Sequence, residues 1–444
     1  MRNDMTQGTP WKTILAFALP VMGSNLLQVL YNFADAVIVG NFIGPTALGA
    51  VGLTGSPTWL LISCSVSLGT GTSIIIAQYY GAKDAHNIRV SVTAAYTISI
   101  FLSAVITPLC FLIAKPLIWD FLAAPPEMRT MSVIYFCICA LGILPQMLYN
   151  VTSGILRAHG DSRGGLYFLF AASILNILFD IILIAYFGMG VGGAAAATVF
   201  AQACCAAFSI VYLIYFFPEL RPKFAAKRSE REKMRTITRV SFPIFVQSAI
   251  FAVGFTIMQR FVNTFGTASI EGYTSMGRIE NVAHVPSISF NAAVSAFTGQ
   301  NIGAKKIARA QEGYRASLKM GNIIAVTIAI VVIIFAKPML GMFNISGESM
   351  RRGWEHLILL MIFMPVSTTS NITSGFLQGA GDVKVPAVAG FANLAVRLGA
   401  TYFMMATVVD FRSVYFSMPP AWIAGCLIVV LRYRSEKWKD MALI

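Results

Sequence analysis

Ser173-Ile174-Leu175-Asn176-Ile177-Leu178-Phe179-Asp180 lies in the middle of an apolar run from Leu166 to Phe187. Asn176 and Asp180 are four residues apart, so a helix stacks them on one face, with Ser173 one turn below. A run of this length and composition spans a bilayer, which puts a carboxylate in hydrocarbon. Ionisable groups at such depth are costly, face a bundle interior or a watery cavity, and mark function by default. Asp180 is therefore expected to titrate or to bind a cation.

The rest of the chain agrees with a membrane setting. Of 444 residues, 57% are hydrophobic and 12% charged, with a mean hydropathy of +0.71. Twelve runs long enough to cross a bilayer are expected, near 11–40, 48–80, 88–114, 130–156, 165–187, 191–217, 240–264, 272–300, 317–336, 354–378, 386–409 and 413–431. The net charge of +14 would suit nucleic acid, but its placement argues otherwise. With the amino terminus inside, most Lys and Arg fall in alternate, cytoplasmic segments, eight of them between Arg221 and Arg239. The outer segments hold Lys115, Arg129, Lys337, Arg351, Arg352 and Arg412. This positive-inside bias predicts that both termini are cytoplasmic. The basic excess orients the protein and calls for no nucleic-acid partner. The seven cysteines all lie in apolar runs without ligand spacing, so they read as small buried hydrophobes rather than a disulfide framework or zinc site. The first apolar run continues as a full span, so no removed signal peptide is expected.

An internal repeat sets the architecture. Gln78-Tyr79-Tyr80-Gly81-Ala82-Lys83 returns as Gln300-Asn301-Ile302-Gly303-Ala304-Lys305, Lys115-Pro116 as Lys337-Pro338, and Asn150-Val151-Thr152-Ser153-Gly154 as Asn371-Ile372-Thr373-Ser374-Gly375. Gly160-Asp161 matches Gly381-Asp382, and Pro20 matches Pro243. A nearly constant offset of half the chain means two six-helix halves. Six is even, so both copies start on the same side and relate by an axis along the membrane normal. The predicted organisation is an amino-terminal lobe over 1–217, a basic cytoplasmic linker over 218–239 and a carboxyl-terminal lobe over 240–444.

The halves differ where chemistry would sit. In the first span Asn25, Gln28, Asn32 and Asp35 form one helical stripe, expected to face Asn176 and Asp180, with Pro20 inviting a kink before it. Aligning Asn176 with Asn393 sets Asp180 against Arg397, an acid against a base. The second half instead carries Glu280, His284, Ser287 and Asn291 at spacings of one helical turn. Two buried carboxylates brought together can carry a proton at neutral pH, and with Asn176 and Thr198 they would make an all-oxygen site suited to a hard cation such as Na⁺. Neutral Asn or Ser could lock helices at far lower desolvation cost than Asp. Gly379-Ala380-Gly381-Asp382 superficially matches an intramembrane protease element, but it and its copy fall at helix ends, where glycine fits a stop. No phosphate-cradling glycine loop occurs, so ATP is not expected to drive the protein directly.

Taken together, these residues resemble the multidrug and toxic compound extrusion (MATE) transporters, of the prokaryotic DinF-like or MepA-like branch. The resemblance covers essentially the whole chain and rests on Pro20 above Asp35, Asn176 and Asp180 in the fifth span, Thr198 in the sixth, and the paired turns at Ser153 to Asp161 and Ser374 to Asp382. It implies an all-α polytopic fold, twelve helices in two pseudo-symmetric lobes of V shape, and a plasma-membrane antiporter with no enzymatic activity. Such a transporter would export organic, often cationic, drug-like compounds in exchange for inward Na⁺ or H⁺, needing no other cofactor and acting as a monomer amid membrane lipid. Coupling is implied at Asp35, Asn176, Asp180 and Thr198, with bending at Pro20. Gln28, Asn32, Asn150, Gln247, Glu280, His284, Asn371 and Arg397 are candidates for the substrate cavity. The chain lacks the acids that one branch of the family uses in spans seven and ten. The alternative is a lipid-linked saccharide flippase of the same superfamily, expected to gather several bases in its cavity; here only Arg260, Arg278 and Arg397 lie within spans. A membrane-embedded enzyme would need a nucleophile or metal set that four scattered histidines do not provide.

Overall fold

A computed structural model describes residues 4–222, 227–407 and 410–444; Arg2 and Lys223 of the basic count, part of the expected linker and the end of the eleventh expected span lie outside them. Within the described residues the chain is helical without strands. The first half runs through α1 (Pro10–Phe42), α2 (Pro45–Leu53), α3 (Gly55–Gly81), α4 (Ala85–Pro116), α5 (Pro126–Leu141), α6 (Ile143–Ala158), α7 (Arg163–Asp180) and α8 (Gly190–Phe216). The second comprises α9 (Lys227–Asn263), α10 (Thr267–Gly303), α11 (Ile307–Gly341), α12 (Gly347–Gly379), α13 (Lys384–Thr407), α14 (Arg412–Phe416) and α15 (Met418–Arg434).

By length and composition ten helices among the described residues can cross a membrane, or eleven when α5 and α6, bent by 45°, count as one broken span. The remaining expected span, α10, is 37 residues long, but Ser, Thr, Asn and Gly dilute its apolar residues. Three expected spans are interrupted. The second breaks at Thr54, whose hydroxyl donates to the Val51 carbonyl at 2.8 Å. The fourth breaks at Gly142, where a Cβ would crowd Val199. The twelfth breaks at Ser417, whose hydroxyl donates to Val414 O at 2.7 Å, just before Pro419 and Pro420. Hydropathy does not register such breaks, because the side chains on either side remain apolar.

The chain divides into two compact units, one built on Gly23–Phe245 and the other on Met5–Met22 with Val246–Ile444. Both dividing points fall inside helices, α1 and α9. In the second unit Met5, Ile14, Phe17 and Ala18 share a core with Phe290, Phe297, Phe376 and Trp438. Polar ties hold the same segment: Met5 N donates to Gln300 Oε1 at 3.0 Å and Arg309 Nη1 to Gly8 O at 2.6 Å. In the first unit the leading half of α9 is held alike, with Thr97 Oγ1 donating to Glu230 Oε1 at 3.0 Å and Lys233 Nζ to the Tyr79 hydroxyl.

The packing echoes the sequence repeat. A Cβ at Gly154 would run into the Gly69 carbonyl, and one at its copy Gly375 into the Asn291 carbonyl, so α3 approaches α6, and α10 approaches α12, backbone to backbone. Small residues permit such approach between membrane helices. A Tyr–Thr hydroxyl pair ties each unit again, Tyr96 with Thr152 at 2.8 Å and Tyr314 with Thr373 at 2.9 Å. Lys83 and Lys305 both take left-handed backbone, at φ 59° and 57°, and Gly160 and Gly381 do so at 94° and 99°.

Candidate functional site

Asp35 on α1, Asn176 and Asp180 on α7 and Thr198 on α8 meet within the first unit. The carboxyl groups of Asp35 and Asp180 lie within hydrogen-bonding reach of each other. Asn176 Nδ2 donates to Thr198 Oγ1 at 3.4 Å. Asn176 and Asp180 are fully buried, whereas Asp35 is half-buried. Both carboxyl oxygens of Asp180, Oδ1 of Asp35 and Oδ1 of Asn176 are buried without a protein donor. Four acceptor oxygens thus converge unsatisfied, an arrangement that costs several kcal/mol in a low-dielectric interior unless a proton or cation completes it. Carboxylate, amide and hydroxyl oxygens suit a small hard cation.

Local sequence explains the placement. Beyond Asp180 the helix widens into a π turn over Ile181–Tyr186, the kind of local unwinding found at functional sites. Val39, Ile184 and Ala194, each one helical turn from Asp35, Asp180 and Thr198 respectively, belong to one apolar cluster with Tyr135.

Three neighbours were not expected from sequence. The Tyr31 hydroxyl lies within hydrogen-bonding reach of Thr198 and close to both acids, while Tyr135 and Cys139 of α5 stand beside Asp35. Tyr31 precedes Asp35 by four residues, one helical turn, and that spacing was the available signal.

The predicted stripe on α1 splits. Gln28 and Asn32 are exposed and pair with each other, Gln28 Nε2 donating to Asn32 Oδ1 at 3.3 Å. Asn32 and Asp35 are about 60° apart around the helix, enough to separate an exposed amide from a half-buried acid. Asn150 Nδ2 donates back to Gln146 O at 2.9 Å, at the close crossing of α3 and α6.

The remaining cavity candidates lie in the second unit. Asn371 Nδ2 donates to Ser367 O at 3.0 Å, and its own carbonyl accepts from Asn291 Nδ2 at 2.8 Å. Gln247 Nε2 donates to Pro386 O at 3.1 Å. Glu280 Oε1 lies 3.8 Å from His284 Nε2, whose ring meets Trp422 edge-on. Arg397 Nη2 reaches the Tyr273 hydroxyl at 3.4 Å. The acids of the two Gly-Asp turns are structural: Asp161 accepts from Gly164 N at 3.1 Å and from the Tyr212 hydroxyl at 3.0 Å, and Asp382 pairs with Arg432 Nε at 2.6 Å.

The MatE family model matches residues 20–182 and again residues 243–403. The chain belongs to the MatE family. Its two matched segments are the two copies of the repeat, and the MATE proteins are membrane transporters rather than enzymes. The chain is 25% identical to "Probable multidrug resistance protein YpnP" of Bacillus subtilis (strain 168) over 440 residues, covering 99% of this chain and 98% of that protein. It is 24% identical to "Probable multidrug resistance protein NorM" of Thermotoga maritima, covering 98% and 94%. Among solved structures it is similar in fold to an outward-facing multidrug resistance MATE family transporter of the MOP superfamily, with a TM-score of 0.91, 24% identity and 98% of both chains covered. The MATE fold and the multi-pass membrane character read from sequence thus stand.

Proposed function

We propose that this MATE protein is a secondary-active multidrug efflux antiporter of the plasma membrane, with both termini cytoplasmic, exporting organic and often cationic compounds in exchange for inward Na⁺ or H⁺. Relatives named as multidrug resistance and multidrug export proteins along nearly the whole chain support the transport class. One observation carries the coupling: Asp35 and Asp180 face each other in a cluster with four buried acceptor oxygens that have no protein donor.

The electrostatics follow from that geometry. Two ionised carboxylates in contact repel in a low-dielectric site, and one proton or one Na⁺ between them removes the repulsion. Asn176, Thr198 and Tyr31 supply the remaining oxygens. The coupling cation therefore changes how tightly the outer half of α1 is held to α7. Pro20 lies close to the point at which α1 passes from one unit to the other, so a change in the grip on Asp35 is felt at a place where the helix already lacks a hydrogen bond. A cation shifts the balance between two arrangements only by binding one of them more tightly. Loss of negative charge in the site also weakens its attraction for a cationic drug, which favours release.

The test is dye efflux from proteoliposomes under separately imposed Na⁺ and proton gradients. Efflux driven by one of these gradients is expected, and absent from Asp35→Asn and Asp180→Asn protein present in equal amount. Full efflux by both variants would sink the coupling assignment.

A further inference from the structure

The second unit holds buried ring and guanidinium nitrogens without a hydrogen-bond partner. His356 on α12 is fully buried, and neither of its ring nitrogens has a partner. Arg397 on α13 is the charged group acting on it, and the buried Nε of Arg397 is likewise without an acceptor. Tyr273 on α10 completes the group, with its hydroxyl 3.4 Å from Arg397 Nη2 and its ring centroid 5.6 Å from that of His356. Phe411 and Tyr415 rings close the wall, at 6.4 and 5.3 Å from the imidazole.

The nearby acid is already engaged. Glu355 accepts from the Tyr415 hydroxyl at 2.6 Å and pairs with Arg412 at 3.4 Å. Among the described residues no carboxylate lies within ion-pairing distance of Arg397. A guanidinium N–H, an imidazole N–H and a phenol hydroxyl can all donate, and although Arg397 is only half-buried, its buried Nε–H is left without an acceptor, which costs free energy. The three side chains lie six, nine and ten residues inside the ends of α10, α12 and α13, roughly 9, 14 and 15 Å along their helices at 1.5 Å per residue.

We propose that His356, Arg397 and Tyr273 form a binding site for a small monoanion, of chloride or short-carboxylate size, which supplies the missing acceptor and neutralises Arg397. Donors arranged around an apolar wall, with one fixed positive charge, match a single negative charge with no need for protons of its own. A phosphate or sulfate dianion would leave one charge unbalanced. The site lies entirely in the second unit and does not depend on the coupling assigned to the first.

Purified full-length protein in detergent provides the test. Thermal unfolding is followed in sodium chloride, sodium formate and sodium gluconate of equal concentration, and a crystal grown in bromide is inspected for anomalous scattering. The wild type is expected to unfold at least about 2 °C higher in chloride, in formate or in both than in the bulky gluconate, and the comparison of those two arms identifies the anion. Arg397→Gln and His356→Phe should each abolish the difference, and bromide should lie against Arg397 Nε. Equal midpoints in all three salts, with no bromide at that position, would overturn the site even if neither variant folds. A salt effect retained in full by both variants would overturn it as well.

Discussion

The two units are built alike, but the position that holds the acid Asp180 in the first holds the base Arg397 in the second. In the first, Asp35, two turns before the end of α1, and Asp180, the last residue of α7, bring unsatisfied acceptors together. In the second, Arg397 occupies the position aligned with Asp180, and the unsatisfied atoms there are nitrogens, its own Nε and the two of the His356 ring. What is repeated is packing: glycines that let α3 meet α6 and α10 meet α12, a Tyr–Thr pair in each unit, and left-handed turns at matching offsets. What is not repeated is charge. A duplicated bundle must keep its helix contacts to fold, whereas the polar interior of each copy is free to specialise once it has ligands of its own.

The largest expected effect breaks the comparison at its acidic side. Asp180→Asn should reduce drug resistance of expressing cells to that of the empty vector, measured as growth in graded drug, with unchanged protein in isolated membranes. Asp180→Arg, which copies the charge of the other unit, should be at least as severe. Next come the close crossings. Gly154→Leu and Gly375→Leu each drive a side chain into a facing carbonyl, and overpacking typically costs about 1–3 kcal/mol or more. Both should lower the yield of monodisperse protein in size-exclusion chromatography, and equal losses would confirm that the units share this contact. Tyr31→Phe removes a hydroxyl next to Thr198 without changing volume. It should weaken ion dependence of efflux several-fold while leaving unfolding temperature nearly unchanged, since one neutral hydrogen bond is worth about 1 kcal/mol.

The smallest effect sharpens the comparison at a helix start. Asp84 caps α4, accepting from the Asn87 backbone N–H at 3.0 Å and from its side-chain amide at 2.6 Å. The copy, Lys306 at the start of α11, makes no side-chain cap. Asp84→Ala should cost about 1 kcal/mol, seen as a small drop in unfolding midpoint. The Asn87 N–H holds the Asp84 carboxyl below the usual carboxylate range. Its contribution is therefore present above that range and is lost as pH falls through it, so wild type and Asp84→Ala should converge in acid.

Much of this was legible from residues alone. The repeat showed because its offset persists through turns and glycines, whose backbone geometry tolerates few substitutes. Asp35 and Asp180 showed because an acid in a hydrocarbon-length run has few inexpensive explanations. Tyr31 did not, since a tyrosine in an apolar helix reads as packing until a neighbour engages its hydroxyl. Asn32 was placed with Asp35 because three- and four-residue spacings look alike on paper, yet they fall about 100° apart around a helix. His356 carried no motif at all. Only the fold brings it next to Arg397, 41 positions later in the sequence.

The assignment of Met5–Met22 to the second unit has a bearing on biogenesis. The ribosome releases this segment long before the residues that share a core with Phe17 and Ala18, among them Phe376 and Trp438. Contacts of such sequence separation are slow to form, so the newborn chain must hold an unfinished strip of apolar surface through most of translation. Two polypeptides made separately, divided after Arg221, would each begin life without a piece of its own interior.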